Sequence, residues 1–588
     1  MVYPGRRNTS RGGLVKYDRV NFLAVLVFIF ALVLVLRLFN VQVIQHPFYD
    51  ALAKGQHELY QKLLPERGQI LVRDKASPDK LFSLATNQML NFIYAVPKNM
   101  ENPGEAAVKI SSLLDLDQSV LEARFGKADD VFEPIKHGVT DDTWEKVKAL
   151  GLAGVESVPE SYRYYPEKQV SSQVLGFVGQ QEDSEEKNGQ YGLEGYFNRE
   201  LAGNQGFIQT EKDAGGRWIT VGGLKISEAE DGADLILTLD HTIQYTACSK
   251  LEAEVKKHGA DSGSLIIMDP KTGGILAMCG SPDYDPNKYN EVENIEVYKN
   301  SAIYSTYEPG SVFKPITMAA ALDQGKVTPL TTYNDTGEEK IGPYTIKNSD
   351  SKSNGVQTMT QVLEKSLNTG AIFAMRQIGE KTLYDYVKAF GFGVKTGITL
   401  DTELNGDISN LKTYKEIYAA TASFGQGITV TPLQLISAFG AIANKGKLMK
   451  PYIVDEIVKA NGFKEKTAPQ EVRQVISAQT AATLGAMLVN VVQNGHGQKA
   501  GVPGYFVAGK TGTAQVPKKD GVGYESDYTI GSFCGFAPVD DPKFVMLIKI
   551  DHPRDVVWAE SSAAPLFGEM AKFLLQYYEI PPSVEVDE

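Results

Sequence analysis

Serine and lysine side chains that lie three residues apart could form the centre of an acyl-transfer reaction. A serine hydroxyl becomes nucleophilic when a base lies within hydrogen-bond reach, and residues i and i+3 share one face of a helix. Four of the S-x-x-K pairs in this chain lie in polar stretches that we interpret as solvent-exposed loops. The spacing occurs five times, at Ser77/Lys80, Ser184/Lys187, Ser311/Lys314, Ser349/Lys352 and Ser409/Lys412.

The pair Ser311/Lys314 differs from the other four in its surroundings. It follows Glu308-Pro309-Gly310 and opens the apolar stretch SVFKPITMAAALDQG, which predicts a helix that begins near the serine. Pro315 then falls near the first turn, where a missing N–H costs little. Because the helix dipole favours negative charge at this end, it would stabilise an oxyanion that develops at the serine.

A second serine motif could supply the groups that handle a leaving amine and a peptide backbone. Ser366-Leu367-Asn368 is the one S-x-N of the chain, and its hydroxyl could relay a proton to the amine. The amide of Asn368 can hold a peptide group through both a donor and an acceptor.

A lysine motif near the end of the chain could bind an extended peptide and its carboxylate. Lys510-Thr511-Gly512-Thr513 follows the strand-like GYFVAG, and we predict that it lies on an edge strand. An edge strand can pair with a peptide, and Gly512 would let a backbone approach closely. A second K-T-G, at Lys271, falls in a predicted hairpin turn, and we interpret it as structural.

The elements that must position these groups indicate an α+β fold. Helices and short strands alternate without a repeat in the second half of the chain, so we predict an antiparallel sheet covered by helices over residues 235–588. The predicted elements are a strand at 235–240, a helix at 241–257, a hairpin at 264–280, two strands within 530–550 and a closing helix at 561–578.

Residues 44–234 are predicted to form a separate N-terminal region. A short strand is expected in PERGQILVRD, which starts at Pro65, and residues 101–160 are expected to be helical and polar. The Gly-rich, charged stretch 212–234 is expected to join the two regions.

An apolar segment near the N-terminus predicts a membrane anchor over residues 21–43. Phe22 to Leu36 is uninterrupted, and twenty residues of helix would extend about 30 Å, enough to cross a bilayer. Residues 1–20 hold five basic residues against one acidic residue, which places them in the cytoplasm and the remainder outside. Two alternatives are a buried core helix and a signal peptide cleaved near Ala51-Leu52-Ala53, which lies far beyond the apolar segment.

The composition excludes several other classes of protein. The formal net charge of −13 without a basic stripe argues against nucleic-acid binding. Three cysteines can form neither a disulfide scaffold nor a Cys₄ zinc site, and we interpret them as buried apolar positions. The histidines are scattered, so we expect no metal and no other cofactor.

The three motifs, in the order Ser311, Ser366 and Lys510, together resemble the active-serine set of penicillin-binding enzymes. Over nearly its whole length the chain is similar to the class B penicillin-binding proteins, which are monofunctional peptidoglycan D,D-transpeptidases. The S-x-N motif carries Leu367 where β-lactamases commonly have Asp. Further stretches that fit the family are RGQILVRD at Arg67, RYYP at Arg163, GLEGYFNRELAG at Gly192, MDPKTGGILAM, FGQGITVTPLQL and GFAPVDDPKFV.

The resemblance implies a pedestal of the dimerisation type over residues 44–234 and a transpeptidase domain over 235–588. It also implies that Ser311 attacks the D-Ala–D-Ala carbonyl of a stem peptide, with Lys314 as the base. Lysine has a pKa near 10.4, so burial or a neighbouring cation must lower the pKa of Lys314. β-Lactams would mimic the donor peptide and trap Ser311.

The resemblance assigns roles to the other motif residues and suggests partners. The backbone N–H groups of Ser311 and Thr513 would form the oxyanion hole. The implied partners are a polytopic membrane glycosyltransferase, because no glycosyltransferase-like region precedes residue 235, and other cell-wall assembly proteins. The remaining implied roles are proton transfer to the departing D-Ala by Ser366 and Lys510, binding of the peptide amide by Asn368, and binding of the carboxylate by Thr511 and Thr513.

Two other functions on the same fold are considered. A β-lactamase would need a general base that activates water to hydrolyse the acyl-enzyme. Glu403 is a candidate, because Glu-x-Asn in Thr402-Glu403-Leu404-Asn405 resembles the ω-loop of such enzymes. GITLDTELNG also fits the transpeptidases, however, so we interpret Glu403 as structural. A non-catalytic β-lactam sensor or assembly scaffold would be expected to lose motif residues, and none is lost. The sequence leaves open whether the enzyme serves septation, elongation or sporulation.

Overall fold

The computed structural model describes residues 27–28, 30–35, 58–180, 187–212, 218–219, 225–518 and 523–584. The predicted cytoplasmic tail 1–20 and most of the predicted anchor 21–43 lie outside these residues. Among the helices that can be described, none has the length and apolar character needed to cross a bilayer.

The strands are numbered in chain order. They are β1 (Glu58–Leu63), β2 (Ile70–Asp74), β3 (Ser77–Ala95), β4 (Glu133–Val139), β5 (Val155–Tyr164), β6 (Phe177–Gln180), β7 (Lys187–Gln190), β8 (Gly206–Lys212), β9 (Trp218–Ile219), β10 (Lys225–Ser227), β11 (Asp234–Asp240), β12 (Ser262–Met268), β13 (Ile275–Ser281), β14 (Thr332–Asp335), β15 (Glu338–Ile341), β16 (Tyr344–Lys347), β17 (Gly355–Thr358), β18 (Lys447–Met449), β19 (Val454–Val458), β20 (Lys464–Lys466), β21 (Glu471–Gln474), β22 (Ala508–Pro517), β23 (Tyr524–Ala537) and β24 (Phe544–Asp551).

The α-helices are numbered in the same way. They are α1 (Pro103–Leu114), α2 (Gln118–Phe125), α3 (Asp141–Lys148), α4 (Ser172–Leu175), α5 (Gly192–Tyr196), α6 (Asn198–Ala202), α7 (His241–Lys257), α8 (Ser301–Tyr304), α9 (Lys314–Asp323), α10 (Met359–Glu364), α11 (Asn368–Ile378), α12 (Glu380–Ala389), α13 (Glu416–Ser423), α14 (Pro432–Ala443), α15 (Ala478–Asn494) and α16 (Ala563–Tyr577).

The chain divides into two compact units. The smaller comprises residues 1–65 and 204–230, and the larger comprises 66–203 and 231–588. In the smaller unit β8 pairs antiparallel with β1, β9 and β10.

A five-stranded antiparallel sheet forms the centre of the larger unit. Its strand order is β13-β12-β24-β23-β22, so β22 lies at an edge. The predicted hairpin over 264–280 is confirmed as β12 and β13, and the strands predicted within 530–550 are confirmed within β23 and β24. The edge position predicted for Lys510-Thr511-Gly512 is also confirmed.

Helices cover both faces of this sheet, because each face is apolar. On one face Leu251 of α7, Ile548 of β24 and Phe567 of α16 share a core. On the other face Leu547 of β24 and Phe439 of α14 belong to a second core. The predicted helices at 241–257 and 561–578 are thereby confirmed as α7 and α16.

Helix α9 is almost entirely enclosed. Its sequence KPITMAAALD has no charged residue between its first and last positions, and eight of its residues are buried. A helix that is apolar on all sides is stable only inside a core. Helices α11, α12 and α15 pack around it.

The N-terminal part of the larger unit is a mixed α/β structure built on a second sheet. The strand order is β20-β19-β11-β2-β3-β4, with β5 also pairing with β3. The prediction that residues 101–160 are helical is wrong for β4 and β5, although α1, α2 and α3 are helices. Both strands pair with the 19-residue β3, a long-range partner that local sequence patterns do not reveal.

Three of the stretches that resemble the family meet at one buried carboxylate. Glu194 is fully buried and forms ion pairs with Arg67 and Arg163, both at 2.6 Å. Burial by itself raises the pKa of Glu194, but the two guanidinium groups outweigh it and leave the pKa below its usual value. These ion pairs therefore hold the three segments that contain Arg67, Arg163 and Glu194 in contact with one another.

The cysteines do not all behave as the sequence indicated. Cys534 is a buried free thiol, as expected, but Cys248 and Cys279 form a disulfide between α7 and β13. The bond joins a helix to a strand of the sheet that it covers.

Candidate active site

Ser311 and Lys314 lie at the start of the buried helix α9. Residues Gly310–Phe313 form one 3-10 turn, after which α9 begins at Lys314 with Pro315 in its first turn. The helix start predicted near the serine is thus present, with a 3-10 turn preceding the α-helix. Lys314 Nζ donates to Ser311 Oγ at 3.0 Å, and the lysine is 1% exposed.

Ser366 adds a second hydroxyl to the same lysine. It lies between α10 and α11 in a left-handed conformation, with φ of 56°. Lys314 Nζ donates to Ser366 Oγ at 3.2 Å and also to the backbone oxygen of Ser366. Two serines 55 positions apart in the sequence therefore share one amine.

Lys510 approaches Ser366 from the edge strand β22. Its Nζ donates to Ser366 Oγ at 3.0 Å and to the backbone oxygen of Thr511 at 3.1 Å. Both lysine amines thus donate to the Ser366 hydroxyl. An unbroken series of hydrogen bonds thus links Ser311, Lys314, Ser366 and Lys510.

Burial changes the protonation of both lysines. Desolvation, with a smaller contribution from the Lys510 charge, places the pKa of Lys314 well below its ordinary value. Desolvation also lowers the pKa of Lys510 to about 7, although the charge of Glu560 opposes the shift. A neutral Lys314 can accept a proton from the hydroxyl that it contacts.

Asn368 is the first residue of α11 and is half-buried. Its Nδ2 donates to the backbone oxygen of Lys347 at 2.8 Å. The side-chain amide of Asn368 therefore lies at the start of a helix, two residues after Ser366.

The remaining predicted residues lie along β22. Thr511 is buried beside the Lys510 amine, and Thr513 Oγ1 accepts from the backbone N–H of Ala559 at 3.1 Å. A Cβ on Gly512 would lie 2.9 Å from the backbone oxygen of Pro309. Glycine is therefore required at position 512 because the turn that carries Ser311 packs closely against it.

Glu403 is engaged by its own loop. It is 6% exposed, and its carboxylate accepts from the backbone N–H groups of Thr396 and Gly397, at 2.6 and 3.0 Å, and from Thr396 Oγ1 at 2.6 Å. These donors give Glu403 a structural role.

The other copies of the short motifs are separate from this cluster. Ser77 and Lys80 lie exposed in β3, Ser409 and Lys412 lie in a 3-10 turn, and Ser349 and Lys352 lie in a loop. Ser184 lies outside the described residues. The second K-T-G lies in the β12–β13 turn, where Thr272 Oγ1 donates to Asp269 at 2.8 Å.

Sequence reasoning missed three residues beside the site. Glu308 accepts from the backbone N–H of Gly427 at 2.9 Å and from the hydroxyl of Tyr524 at 3.0 Å. Asn348 and Asp335 contact the start of α11. Glu308 was visible as part of the turn before Ser311, whereas nothing in the sequence marks the other two.

Two family models match the chain and together span most of it. Residues 263–572 match the model described as the penicillin binding protein transpeptidase domain. Residues 62–237 match the model described as the penicillin-binding protein dimerisation domain.

Named relatives and solved structures agree with these matches. The chain is 33% identical to stage V sporulation protein D of Bacillus subtilis, over 96% of this chain and 86% of that protein. It is 30% identical to the probable peptidoglycan D,D-transpeptidase PenA of Neisseria gonorrhoeae, over 91% and 88%. A crystal structure of penicillin binding protein 3 from Mycobacterium tuberculosis, complexed with aztreonam, matches with a TM-score of 0.68 and 26% identity, over 90% of this chain and 99% of that one.

Proposed function

This chain belongs to the class B penicillin-binding proteins, and we propose that Ser311 is the residue acylated in its D,D-transpeptidase reaction. The enzyme is of the serine type, acts on peptidoglycan stem peptides and binds β-lactams. One observation carries the assignment of Ser311: its hydroxyl begins the hydrogen-bond series that runs through Lys314 and Ser366 to Lys510.

Acylation starts with a proton transfer from Ser311 to neutral Lys314. The serine oxygen forms a bond to the carbonyl carbon of the penultimate D-Ala, and the negative charge moves to the carbonyl oxygen. When the tetrahedral intermediate collapses, the C–N bond to the terminal D-Ala breaks. The proton held on Lys314 passes through the Ser366 hydroxyl to the departing amine, and Lys510 supports this transfer electrostatically.

The edge strand and the helix starts supply the binding groups. We assign the oxyanion hole to the backbone N–H groups of Ser311 and Thr513, in keeping with the close approach of Gly310 to the Thr513 backbone. Thr511, which lies beside the Lys510 amine, and Thr513 are assigned to the terminal carboxylate. Asn368 is assigned to the amide of the donor peptide.

The second half-reaction transfers the acyl group to an amine of a neighbouring stem peptide. The amine loses a proton to Lys314 and attacks the ester carbonyl, and Ser311 leaves with a proton returned by the same lysine. The product is a crosslink between two peptides. A β-lactam acylates Ser311 in the same way but retains its leaving group, so the ester persists.

Replacing Ser311 by alanine tests the assignment. Ser311→Ala should abolish covalent labelling by a fluorescent penicillin and the ability to restore growth in a strain that depends on this gene. Ser409→Ala is a matched control, because Ser409 belongs to an S-x-x-K pair outside the cluster. Labelling of Ser311→Ala at the wild-type rate would refute the assignment, and restored growth without labelling would favour the scaffold alternative.

We also assign an uncleaved anchor to residues 21–43, with residues 1–20 in the cytoplasm and the remaining chain outside. The apolar segment and its basic flank support this topology. The disulfide Cys248–Cys279 supports it too, because disulfides persist in oxidising compartments. In intact protoplasts, external protease should digest the catalytic region and spare a tag at residue 1.

We propose a division of the chain into a pedestal over 44–234 and a transpeptidase domain over 235–588. Its support is the position of the matched segments, 62–237 and 263–572. Since neither segment is described as a glycosyltransferase, we assign glycan polymerisation to a polytopic membrane glycosyltransferase that contacts the anchor and pedestal. Crosslinking in membranes followed by purification should recover such a partner, and its absence would count against the assignment.

A further inference from the structure

Asn348, which belongs to none of the motifs, caps the helix that carries Asn368. The first N–H groups of a helix need an external acceptor, and Leu367, which precedes α11, offers no side-chain oxygen. The Oδ1 of Asn348 instead accepts from the backbone N–H of Asn368 at 2.9 Å and of Thr369 at 3.2 Å. The cap of α11 therefore comes from a residue 20 positions earlier in the chain.

Asp335 fixes the orientation of the capping amide. Asn348 Nδ2 donates to both oxygens of Asp335, at 2.9 and 3.1 Å, so that its Oδ1 faces the helix. Asp335 also accepts from Thr369 Oγ1 at 2.7 Å, which adds a direct contact to α11. Asp335 and Asn348 are 1% and 3% exposed, so water does not compete for these bonds.

Asp335 is a buried carboxylate held by several neutral donors. The backbone N–H of Gly337 and both the backbone and side-chain N–H groups of Asn354 donate to it over 2.8–3.0 Å. Burial by itself raises the pKa of Asp335, but hydrogen bonds from Asn354, Thr369 and Gly337 outweigh it and lower the pKa. The ionised carboxylate strengthens the Asn348 amide as an acceptor, because linked hydrogen bonds polarise one another.

The same segment also holds the side chain of Asn368. Its Nδ2 donates to the backbone oxygen of Lys347, the residue next to Asn348, at 2.8 Å. Backbone and side chain of Asn368 are thus both attached to the end of β16. A shift of this segment would move the Asn368 amide directly.

We propose that Asp335 and Asn348 are positioning residues for the transpeptidase reaction and that they act through Asn368. The inference rests on the proposed role of Asn368 in holding the amide of the donor peptide. Binding groups must be placed accurately, and an error of about 1 Å can reduce a rate roughly 100-fold.

A double-mutant cycle on the purified full-length protein tests this coupling. The readout is the second-order rate constant for acylation by a penicillin whose side chain carries an amide. Asn368→Ala and Asn348→Ala should each slow acylation by about 10- to 100-fold. The double variant should be slower than Asn368→Ala by no more than about twofold, because both changes remove one positioned amide.

The outcomes of the cycle separate the two hypotheses. If Asn368→Ala slows acylation and Asn348→Ala does not, the positioning role is wrong and the role of Asn368 stands. If the two losses multiply in the double variant, Asn348 acts independently of Asn368 and the inference fails. If Asn368→Ala acylates normally, the proposed role of Asn368 fails, and the inference fails with it.

A matched control separates positioning from general stability. Asn91 is also a buried asparagine that donates to an aspartate, Asp141 at 2.7 Å, but it lies in the N-terminal part of the unit. Asn91→Ala should lower the melting temperature and leave the acylation rate unchanged. An equal slowing in Asn91→Ala would show that lost stability, and not positioning, explains the effect of Asn348→Ala.

If Asn348→Ala does not fold, a variant that exchanges the carboxylate and the amide provides the test. In Asp335→Asn/Asn348→Asp the carboxylate would cap α11 directly, and the amide would lie behind it. Each single variant loses the charge–amide pair, whereas the exchange restores it. The exchanged variant should acylate at least tenfold faster than Asp335→Asn, and failure to recover would overturn the proposal.

Discussion

Lys510 Nζ lies 3.0 Å from Ser366 Oγ, although 144 residues separate the two in the sequence. Lys314 Nζ lies 3.2 Å from the same hydroxyl. Two ammonium groups this close, in a buried site, cannot both be protonated without a large cost. The Ser366 hydroxyl therefore lies between a neutral amine and one that titrates near neutral pH.

This arrangement predicts a bell-shaped pH profile for acylation. The rate constant should rise with pH as Lys314 loses its proton, because only the neutral amine accepts one from Ser311. It should fall above about pH 7 as Lys510, with a pKa of about 7, loses the charge that attracts the substrate carboxylate. Stopped-flow acylation by a penicillin between pH 5 and 9 measures both limbs.

Arginine at position 510 provides the critical comparison. Lys510→Arg keeps its charge throughout this range, so the alkaline limb should disappear even if the overall rate is lower. The surface substitution Lys412→Arg should leave the profile unchanged. An alkaline limb at the same pH in Lys510→Arg would show that another group causes it.

The buried base should also reduce stability. The pKa of Lys314 is lower in the folded protein than in the unfolded chain, so folding releases a proton and the stability of the wild type increases as pH rises between these values. Lys314→Met should therefore abolish acylation and stabilise the protein by about 1 kcal/mol at pH 7, and the gain should shrink at pH 9. Thermal denaturation of the wild type and of Lys314→Met at both pH values measures this difference in stability.

Lys549→Met is the matched control for this stability effect. Lys549 is also buried, at 2% exposed, but it forms an ion pair with Asp551. Its removal leaves a buried carboxylate without its partner and should lower the melting temperature. A loss of stability in Lys314→Met as well would show that the hydrogen bonds of Lys314 outweigh its desolvation.

The groups that we propose as catalytic could be singled out from the sequence because short local patterns carry them. Ser311/Lys314 combines helical spacing with the apolar stretch that follows it, and Lys510 follows a strand-like sequence. Their convergence depends on the order of the five strands and on the enclosure of α9, which no local pattern contains. The resemblance to a known family supplied that step.

The features that sequence reasoning missed depend on long-range partners. Nothing in the local sequence distinguishes Glu194 from other acidic residues, because its ion pairs with Arg67 and Arg163 form only in the folded chain. The same holds for Asn348, a loop residue that contacts the start of α11 only in the tertiary structure. The strand β5 consists largely of polar residues and is fixed by pairing with β3. Burial and pairing of this kind arise from tertiary structure alone.

The disulfide should stabilise the catalytic region without affecting its chemistry. It closes a segment in which Cys248 and Cys279 are 31 residues apart, and a loop of this length corresponds to roughly 3.7 kcal/mol. Cys248→Ser/Cys279→Ser should therefore melt several degrees lower and still acylate at the wild-type rate. Reduction should reproduce the shift in the wild type and in Cys534→Ala, which keeps the disulfide, whereas Cys248→Ser/Cys279→Ser should not respond to reductant. Equal melting temperatures of the wild type with and without reductant would contradict the prediction.

Glu403 provides the test that separates a transpeptidase from a β-lactamase. Its carboxylate already accepts hydrogen bonds from Thr396 and Gly397, which makes it a loop anchor and not a base for water. Glu403→Gln should therefore leave the half-life of the penicilloyl enzyme within about twofold of wild type, while the lost bonds lower stability by about 1–3 kcal/mol. The half-life is measured by the decay of a fluorescent penicillin adduct, with the half-buried Glu380→Gln as control. If Glu403 activated water, the wild-type adduct would turn over within seconds and Glu403→Gln would lengthen its half-life by orders of magnitude.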